Sequence, residues 1–386
     1  MKKEEKLNIG MFCEVYKPVV NGVVYSIDAS KRGLEQLGHN VHVFTTGHKG
    51  YKDIESNIYR CPSIPLRAKY KMGLPILPIL FGKKAVSALQ NLDVVHCHHP
   101  YVIGKFGAGI AKRNNVPLVF TSHSQYEEFS YYIPFHQKLT KRFIRWSIRS
   151  FANKCDVVIA PAPRIKEILI ERYKIKAPIS IIPNAIDLEI FRNLNPYIVR
   201  RKYNLHNKKV LMYAGRLSKE KNLQFLLRTF KEVSGRNSET VLMLVGDGPE
   251  RKNLLRLAKK LGITKNVIFT GFVGNEWLPQ YYASADIFTI TSKAEVHPLS
   301  VIEAMASGTP VVAINAGGVA DVITDNVDGI LTSSSMQDYS EKLIALLNNE
   351  SLQKKLSRQG LKTVRQYSFN TVAEKLFELY QSLRRK

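Results

Sequence analysis

"KKVLMYAGRLSKEKN", residues 208–222, decides the fold. Its first half, KKVLMYAG, is a short apolar run ended by a glycine, the pattern of a buried strand. Its second half is a polar loop that opens a helical pattern at Leu223. The same succession stands at the start of the chain, where LNIGMFC (7–13) is followed by the loop KPVVNG and a helical stretch from about Val23 to Leu37. Residues 208–222 therefore restart a pattern that the chain has already run once. Working outward, further strands are expected at 40–46, 92–98, 116–123, 155–160 and 179–183 in the first run. In the second they are expected at 240–248, 266–272, 285–290 and 309–314. Helical patterns separate most of them, the mark of parallel sheets built from βαβ units. Two successive doubly wound α/β domains are the simplest account, and 386 residues suit two cores. The expected division is 1–182, a linker at 183–194, a second domain at 195–365 and a closing helix at 366–386. Val372, Leu376, Leu379 and Tyr380 of that helix require a partner surface.

The composition is that of a globular chain, 45% hydrophobic and 23% charged. Its four cysteines form no C-x-x-C pair, which points to a reducing compartment. MKKEEKLNIGMF is not expected to act as a signal peptide. The most apolar run, MGLPILPILFG (72–82), is broken by prolines and glycines, so no membrane span is expected. Charge is the unusual quantity: 57 basic against 32 acidic residues give +25. Between Arg60 and Lys154 there are 15 Lys/Arg and three acids, so one segment holds a surplus of 12. Such a balance favours anionic partners. Nucleic acid is not expected, because the chain has no RNP-like strand, zinc-finger spacing or helix-turn-helix pattern.

Doubly wound sheets bind ligands beyond the carboxyl ends of their strands, so the loops there hold the candidates. GRLSKEKN (215–222) sets Arg216 and Lys221 around a helix start, a combination suited to phosphate. GDGPE (246–250) and the turn before Gly22 are further glycine turns. No G-x-G-x-x-G or Walker loop occurs, which disfavours dehydrogenases and P-loop enzymes. TSKAEVHPLSVIEAMASGTPVV (291–312) places Glu295 before a proline and Glu303 within an apolar helix stopped by Gly308. A carboxylate in that setting needs a partner. His96, His98 and His99 form a cluster at a strand end; they are expected to line a polar cleft rather than to bind metal. No D-x-D occurs, so a departing diphosphate must be balanced by Arg216 and Lys221.

The two-domain pattern, G-R-L-S-K-E-K-N, G-D-G-P, and E-x7-E followed by A-M-A-S-G-T-P-V-V resemble the retaining glycosyltransferases of family four. The resemblance covers essentially the whole chain. It implies the GT-B fold of two facing Rossmann-like domains, and a nucleotide-sugar as substrate with no cofactor. It implies that Glu303 meets the ribose, that Glu295 lies beside the donor sugar, and that Arg216 and Lys221 hold the diphosphate. Gly22 matches the first-domain glycine turn, and His123 matches the histidine that faces the donor sugar. Gly246, Gly271, His297, Pro298, Leu299 and Ser300 complete the implied donor site. One departure stands out: His297–Pro298 replaces the commoner Phe-Gly or Gln-Gly, and Pro298 has no N–H to donate.

A narrower resemblance concerns the acceptor. Y-x-P-x-x-N-G-V-V, H-P-Y-V-I-G-K-F-G, T-S-H-S-Q-Y-E-E-F-S-Y-Y-I-P and C-D-V-V-I-A-P are similar to bacterial 1,2-diacylglycerol glucosyltransferases. This implies glucose transfer from UDP-glucose to a lipid at the inner face of the cell membrane. Other donors (UDP-galactose, GDP-mannose) and other acceptors (phosphatidylinositol, sterol, polysaccharide) stay open. HQKLTKRFIRWSIRSFANK (136–154) agrees with a membrane surface, since it contains no acid. As a helix it sets Lys138, Lys141, Arg142, Arg145 and Arg149 along one side and Trp146 among apolar neighbours, a basic amphipathic pattern. An anionic membrane surface and a peripheral cytoplasmic location are the expectations.

Overall fold

The computed structural model describes residues 6–65, 73–75, 81–123, 127 and 136–384. The run at 72–82 and the motif at 121–134 therefore lie largely outside the described residues. The chain folds as two compact units, Met1–Ile186 with Phe369–Lys386, and Asp187–Ser368.

The first unit is built on seven parallel strands: β1 (Asn8–Phe12), β2 (Asn40–Thr46), β3 (Ile58–Cys61), β6 (Val94–Cys97), β7 (Leu118–Thr121), β8 (Val157–Ala160) and β9 (Ile179–Ile181). Two further strands, β4 (Ser63–Pro65) and β5 (Gly73–Pro75), make a small antiparallel pair. The large sheet runs in the order β3-β2-β1-β6-β7-β8-β9, with Asn8 opposite Asn40 and Ile9 opposite Val94. The second unit runs β12-β11-β10-β13-β14-β15, from β10 (Lys209–Ala214), β11 (Thr240–Val245), β12 (Val267–Gly271), β13 (Ile287–Ile290), β14 (Val311–Ile314) and β15 (Ile330–Thr332). Each order reverses beside its first strand, between β1 and β6 and between β10 and β13. Those are the switch points at which doubly wound sheets open a crevice. The sequence pattern finds every inner strand but misses β3 and β15. Both are edge strands of three or four residues, too short to show a period.

The closing helix, Phe369–Arg384, rejoins the first unit. Phe369, Val372, Ala373, Leu376, Phe377 and Tyr380 are buried in the core formed by Ile9, Met11, Ile27 and Leu34, and Leu379 packs at its edge. The helix Gly22–Gln36 meets it at Gly33, where a Cβ would stand 2.6 Å from the Phe369 carbonyl oxygen. Only glycine allows the two backbones that close.

Tyr380 also corrects the expectation for His96. Rather than lining a cleft, His96 is 1% exposed, with Nδ1 at 2.7 Å from the Tyr380 hydroxyl and Nε2 at 2.7 Å from Thr121 Oγ1. Burial pushes its pKa down to about 3, so it is a neutral, doubly bonded core residue.

The helix Gln137–Ala152 packs through Thr140, Ile148, Phe151 and Ala152. Its other apolar residues face outward: Leu139, Phe143 and Trp146 are 65%, 65% and 57% exposed. Lys138, Arg142 and Arg149 are exposed beside them, whereas Lys141 is half-buried. Arg145 is committed elsewhere, since its Nε lies 3.2 Å from buried Glu127, which Arg172 also grips at 2.8 Å. No helix among the described residues is long and apolar enough to cross a membrane.

Candidate active site

In the second unit the switch point lies between the loops that follow β10 and β13. These loops are tied together. Thr291 Oγ1 donates to the Lys221 carbonyl at 3.1 Å, Asn222 Nδ2 donates to the Thr291 carbonyl at 3.3 Å, and Ser292 Oγ donates to the Glu220 carbonyl at 3.2 Å. The bracing brings two of the expected residues into contact, with Lys221 Nζ 2.6 Å from Glu295 Oε1. Both side chains are partly exposed, at 24% and 14%, so the pair sits at the surface of the crevice. Arg216 is half-buried on the same loop, and its carbonyl accepts the Tyr213 hydroxyl at 3.2 Å.

The glycines match this picture. Gly246 has φ +125, and a Cβ there would lie 2.1 Å from the Gly215 carbonyl oxygen, so the loops after β10 and β11 touch backbone to backbone. Gly246 N–H in turn donates to the Gly271 carbonyl at 2.9 Å. Three strand ends are thereby closed into one floor.

Pro298 caps the helix Leu299–Ala306 rather than forming its first turn. As at any helix start, the Leu299 and Ser300 N–H groups fall outside the helical ladder. Glu303 lies one turn further in, where burial raises its pKa and the Tyr282 hydroxyl, donating at 2.8 Å, lowers it. Tyr282 is thus the partner that a carboxylate in this helix requires. The His297 ring is buried against Tyr367, 5.2 Å between centroids, and is neutral because burial pushes its pKa down to about 3.

Sequence reasoning missed Gly317 and Gly318. Gly318 N–H donates to the Glu295 carbonyl at 2.7 Å, and a Cβ there would stand 1.8 Å from the Val296 carbonyl oxygen. This pair holds the Glu295 loop, and its signal was the doubled glycine in NAGGV, directly after a predicted strand.

In the first unit, the β1–helix turn ends at Asn21, whose side chain accepts the Val24 N–H at 2.8 Å, and exposed Gly22 opens the helix. His98 and His123 leave the ends of β6 and β7, and their rings are joined through His98 Nδ1 and His123 Nε2 at 2.9 Å. Glu14, at the end of β1, accepts the Ile103 N–H at 2.7 Å and so caps the helix Val102–Asn114.

Burial pushes the Glu14 carboxyl up to about 7, overriding the backbone donors that favour its charge. A raised carboxylate pKa contributes stability that is complete below the ordinary value of 4.5 and lost as pH rises through about 7. Urea unfolding at pH 5 and pH 8 should therefore show wild type losing up to ~3 kcal/mol relative to Glu14→Gln. Equal pH slopes for the two proteins would contradict this.

Two doubly wound parallel domains, the second with Lys221 and Glu295 paired at its switch point, are the architecture of the GT-B sugar-nucleotide transferases. Comparison with known proteins agrees. The family model for glycosyl transferases group 1 matches residues 198–363, and that for glycosyltransferase family 4 matches residues 20–190. An alpha-monoglucosyldiacylglycerol synthase of Streptococcus pneumoniae is 33% identical over 84% of this chain and 75% of its own length. A second, from Acholeplasma laidlawii, is 29% identical over 98% and 97%. The crystal structure of Anabaena Alr3699/HepE in complex with UDP and glucose superposes with a TM-score of 0.78 at 20% identity, covering 98% of this chain and all of that one. The chain belongs to the family-four glycosyltransferases and is a hexosyltransferase.

Proposed function

We propose that this enzyme transfers glucose, with retention of configuration, from UDP-glucose to a diacylglycerol-type lipid at the cytoplasmic face of the membrane. The reading is carried by the likeness to two alpha-monoglucosyldiacylglycerol synthases over most of the chain. The outward Leu139–Phe143–Trp146 stripe beside cations supports it, because a lipid acceptor must be met at a surface. In this reading Arg216 and Lys221 neutralise the departing diphosphate, and Gly246, Gly271 and the Leu299 and Ser300 N–H groups line its approach. Glu303 holds the ribose and Glu295 meets the sugar; His123 and Gly22 keep the roles that the family resemblance implies for them. His297 offers backbone rather than ring, and Pro298 contributes no donor. No cofactor or metal takes part.

UDP-glucose, UDP-galactose, UDP-N-acetylglucosamine and GDP-mannose, each assayed with diacylglycerol in mixed micelles, test the assignment. UDP-glucose is expected to be used at least tenfold better, giving an α-linked product by NMR. Preference for another donor, or a β product, would overturn it.

The two glutamates are expected to separate kinetically. Glu303→Ala should mainly raise KM for the nucleotide-sugar, by removing binding shared between ground and transition states. Glu295→Ala should mainly lower kcat, since it touches the reacting sugar. Calorimetry showing free UDP bound equally by wild type and Glu303→Ala would remove the ribose role.

A further inference from the structure

Glu303 has a place in the proposed reaction, but the residue that grips it has none. Tyr282 sits on the short helix Leu278–Ser284, between β12 and β13, and is wholly buried. A hydroxyl at the tip of a buried ring needs a partner, and this one donates to Glu303 Oε2 at 2.8 Å. The ring lies against Phe288 of β13, 5.4 Å between centroids at 59°. Behind it, the Tyr282 carbonyl accepts Thr309 Oγ1 at 2.7 Å, and the Thr309 N–H donates to the Ala304 carbonyl at 2.9 Å. Tyr282 is thus tied twice to the helix Leu299–Ala306, once through its hydroxyl and once through its backbone. Glu303 is itself half-buried, and its carbonyl accepts Ser307 Oγ at 2.9 Å. With the backbone fixed, the freedom left to Glu303 is in its side chain, where the carboxylate turns about a broad two-fold torsion. The Tyr282 hydroxyl removes that freedom.

We infer that Tyr282 is a positioning residue through which the second unit selects ribose over deoxyribose: by holding Glu303 Oε2, it presents the carboxylate to the ribose hydroxyls in one orientation. An ionised carboxylate only accepts, and it has about four lone-pair sites. One phenol occupies a single site and leaves room for the two hydroxyls of a vicinal diol, which must both donate. A sugar lacking those hydroxyls leaves a half-buried charge under-satisfied. A site built around such a polar group rejects the analogue without the hydroxyl far more strongly than an apolar pocket rejects a missing methylene. Burial of Glu303 disfavours its charged form, and the Tyr282 hydroxyl opposes that by bonding to the anion. The same bond therefore orients the carboxylate and helps to keep it an acceptor.

This rests on the ribose role proposed for Glu303, and the test keeps the two apart. Full-length wild type and Tyr282→Phe are titrated by calorimetry with UDP and GDP, and with the 2′,3′-dideoxy form of each. Phenylalanine keeps the ring against Phe288 and removes only the oxygen. For the nucleotide that wild type prefers, the dideoxy form is expected to bind at least about tenfold more weakly. Tyr282→Phe should weaken the ribose form about tenfold, the factor set by one charge-assisted hydrogen bond, and the dideoxy form by less than about twofold. KM for the nucleotide-sugar should rise with it, while kcat stays within about twofold. In a Glu303→Gln background the loss should vanish, because the two side chains act as one unit. A Tyr282→Phe that keeps the wild-type preference for ribose overturns the inference, and so do effects that add to those of Glu303→Gln. Equal weakening of both forms would also overturn it, leaving Tyr282 as a packing residue. A wild type indifferent to the ribose hydroxyls would instead dismiss the role of Glu303, and that of Tyr282 with it. A preference for GDP would end the UDP assignment, and the GDP pair would then decide the role of Tyr282.

Discussion

Alanine at Arg216 or at Lys221 is expected to lower kcat by about 10²–10³-fold, the usual consequence of removing a preorganised donor from developing negative charge. The structure sharpens the expectation for Lys221. Its Nζ already faces a carboxylate, Glu295, at 2.6 Å. A diphosphate brings more charge than one carboxylate, so in the proposed reaction a bound donor would compete with Glu295 for Lys221. In that reading Lys221→Ala would remove the phosphate contact and, with it, the ion pair to Glu295. The double variant Lys221→Ala/Glu295→Ala should consequently be less impaired than the product of the single effects, as residues in direct contact usually are. Additive effects in the cycle would show that the two act independently. Activity should also survive EDTA, since the chain lacks a D-x-D handle and the proposed reading has Arg216 and Lys221 supply the charge. Loss on chelation, restored by Mg²⁺ or Mn²⁺, would end the metal-free reading.

How much of this was legible beforehand depended on range. Strands such as 40–46 and 209–214 advertise themselves by local apolar runs, and the glycine-stopped helix 299–306 by its composition. Pairings were not legible, because they join residues that the topology brings together. Nothing around Glu303 names Tyr282, which reaches it from a separate helix. Lys221 and Glu295 were both singled out, yet assigned to different ends of a ligand rather than to each other. His96 was misjudged for the same reason: its partners, Tyr380 and Thr121, include one from the far end of the chain. In the 137–152 helix the pattern gave the cations but could not tell a core stripe from an outward one. Thr140, Ile148 and Phe151 pack inward, while the bulkier Leu139, Phe143 and Trp146 do not.

That outward stripe leads to the second large effect. Lys138→Glu/Arg142→Glu/Arg149→Glu is expected to abolish both binding to anionic vesicles and lipid glycosylation. Arg145 is left in place because it grips Glu127, and a glutamate there would oppose a buried carboxylate and damage the fold. Each cation near an anionic surface contributes about 1 kcal/mol, so three reversals replace attraction by repulsion. Leu139, Phe143 and Trp146 would supply the apolar part of such a contact, and interfacial helices need both parts. Wild type should bind phosphatidylcholine vesicles weakly and phosphatidylglycerol-containing vesicles strongly. Release is expected at a few tenths molar salt, where the screening length falls below ~8 Å. With Trp277 changed to phenylalanine, Trp146 becomes the only indole. Its emission should then shift to the blue on vesicle addition, reporting entry into an apolar layer. Hydrolysis of the nucleotide-sugar by water, measured without lipid, should persist in the triple variant because Arg216, Lys221, Glu295 and Glu303 lie in the other unit. A triple variant that sediments with anionic vesicles as wild type does would leave the helix as a packing element. Lost hydrolysis would point to a damaged fold rather than to a lost surface.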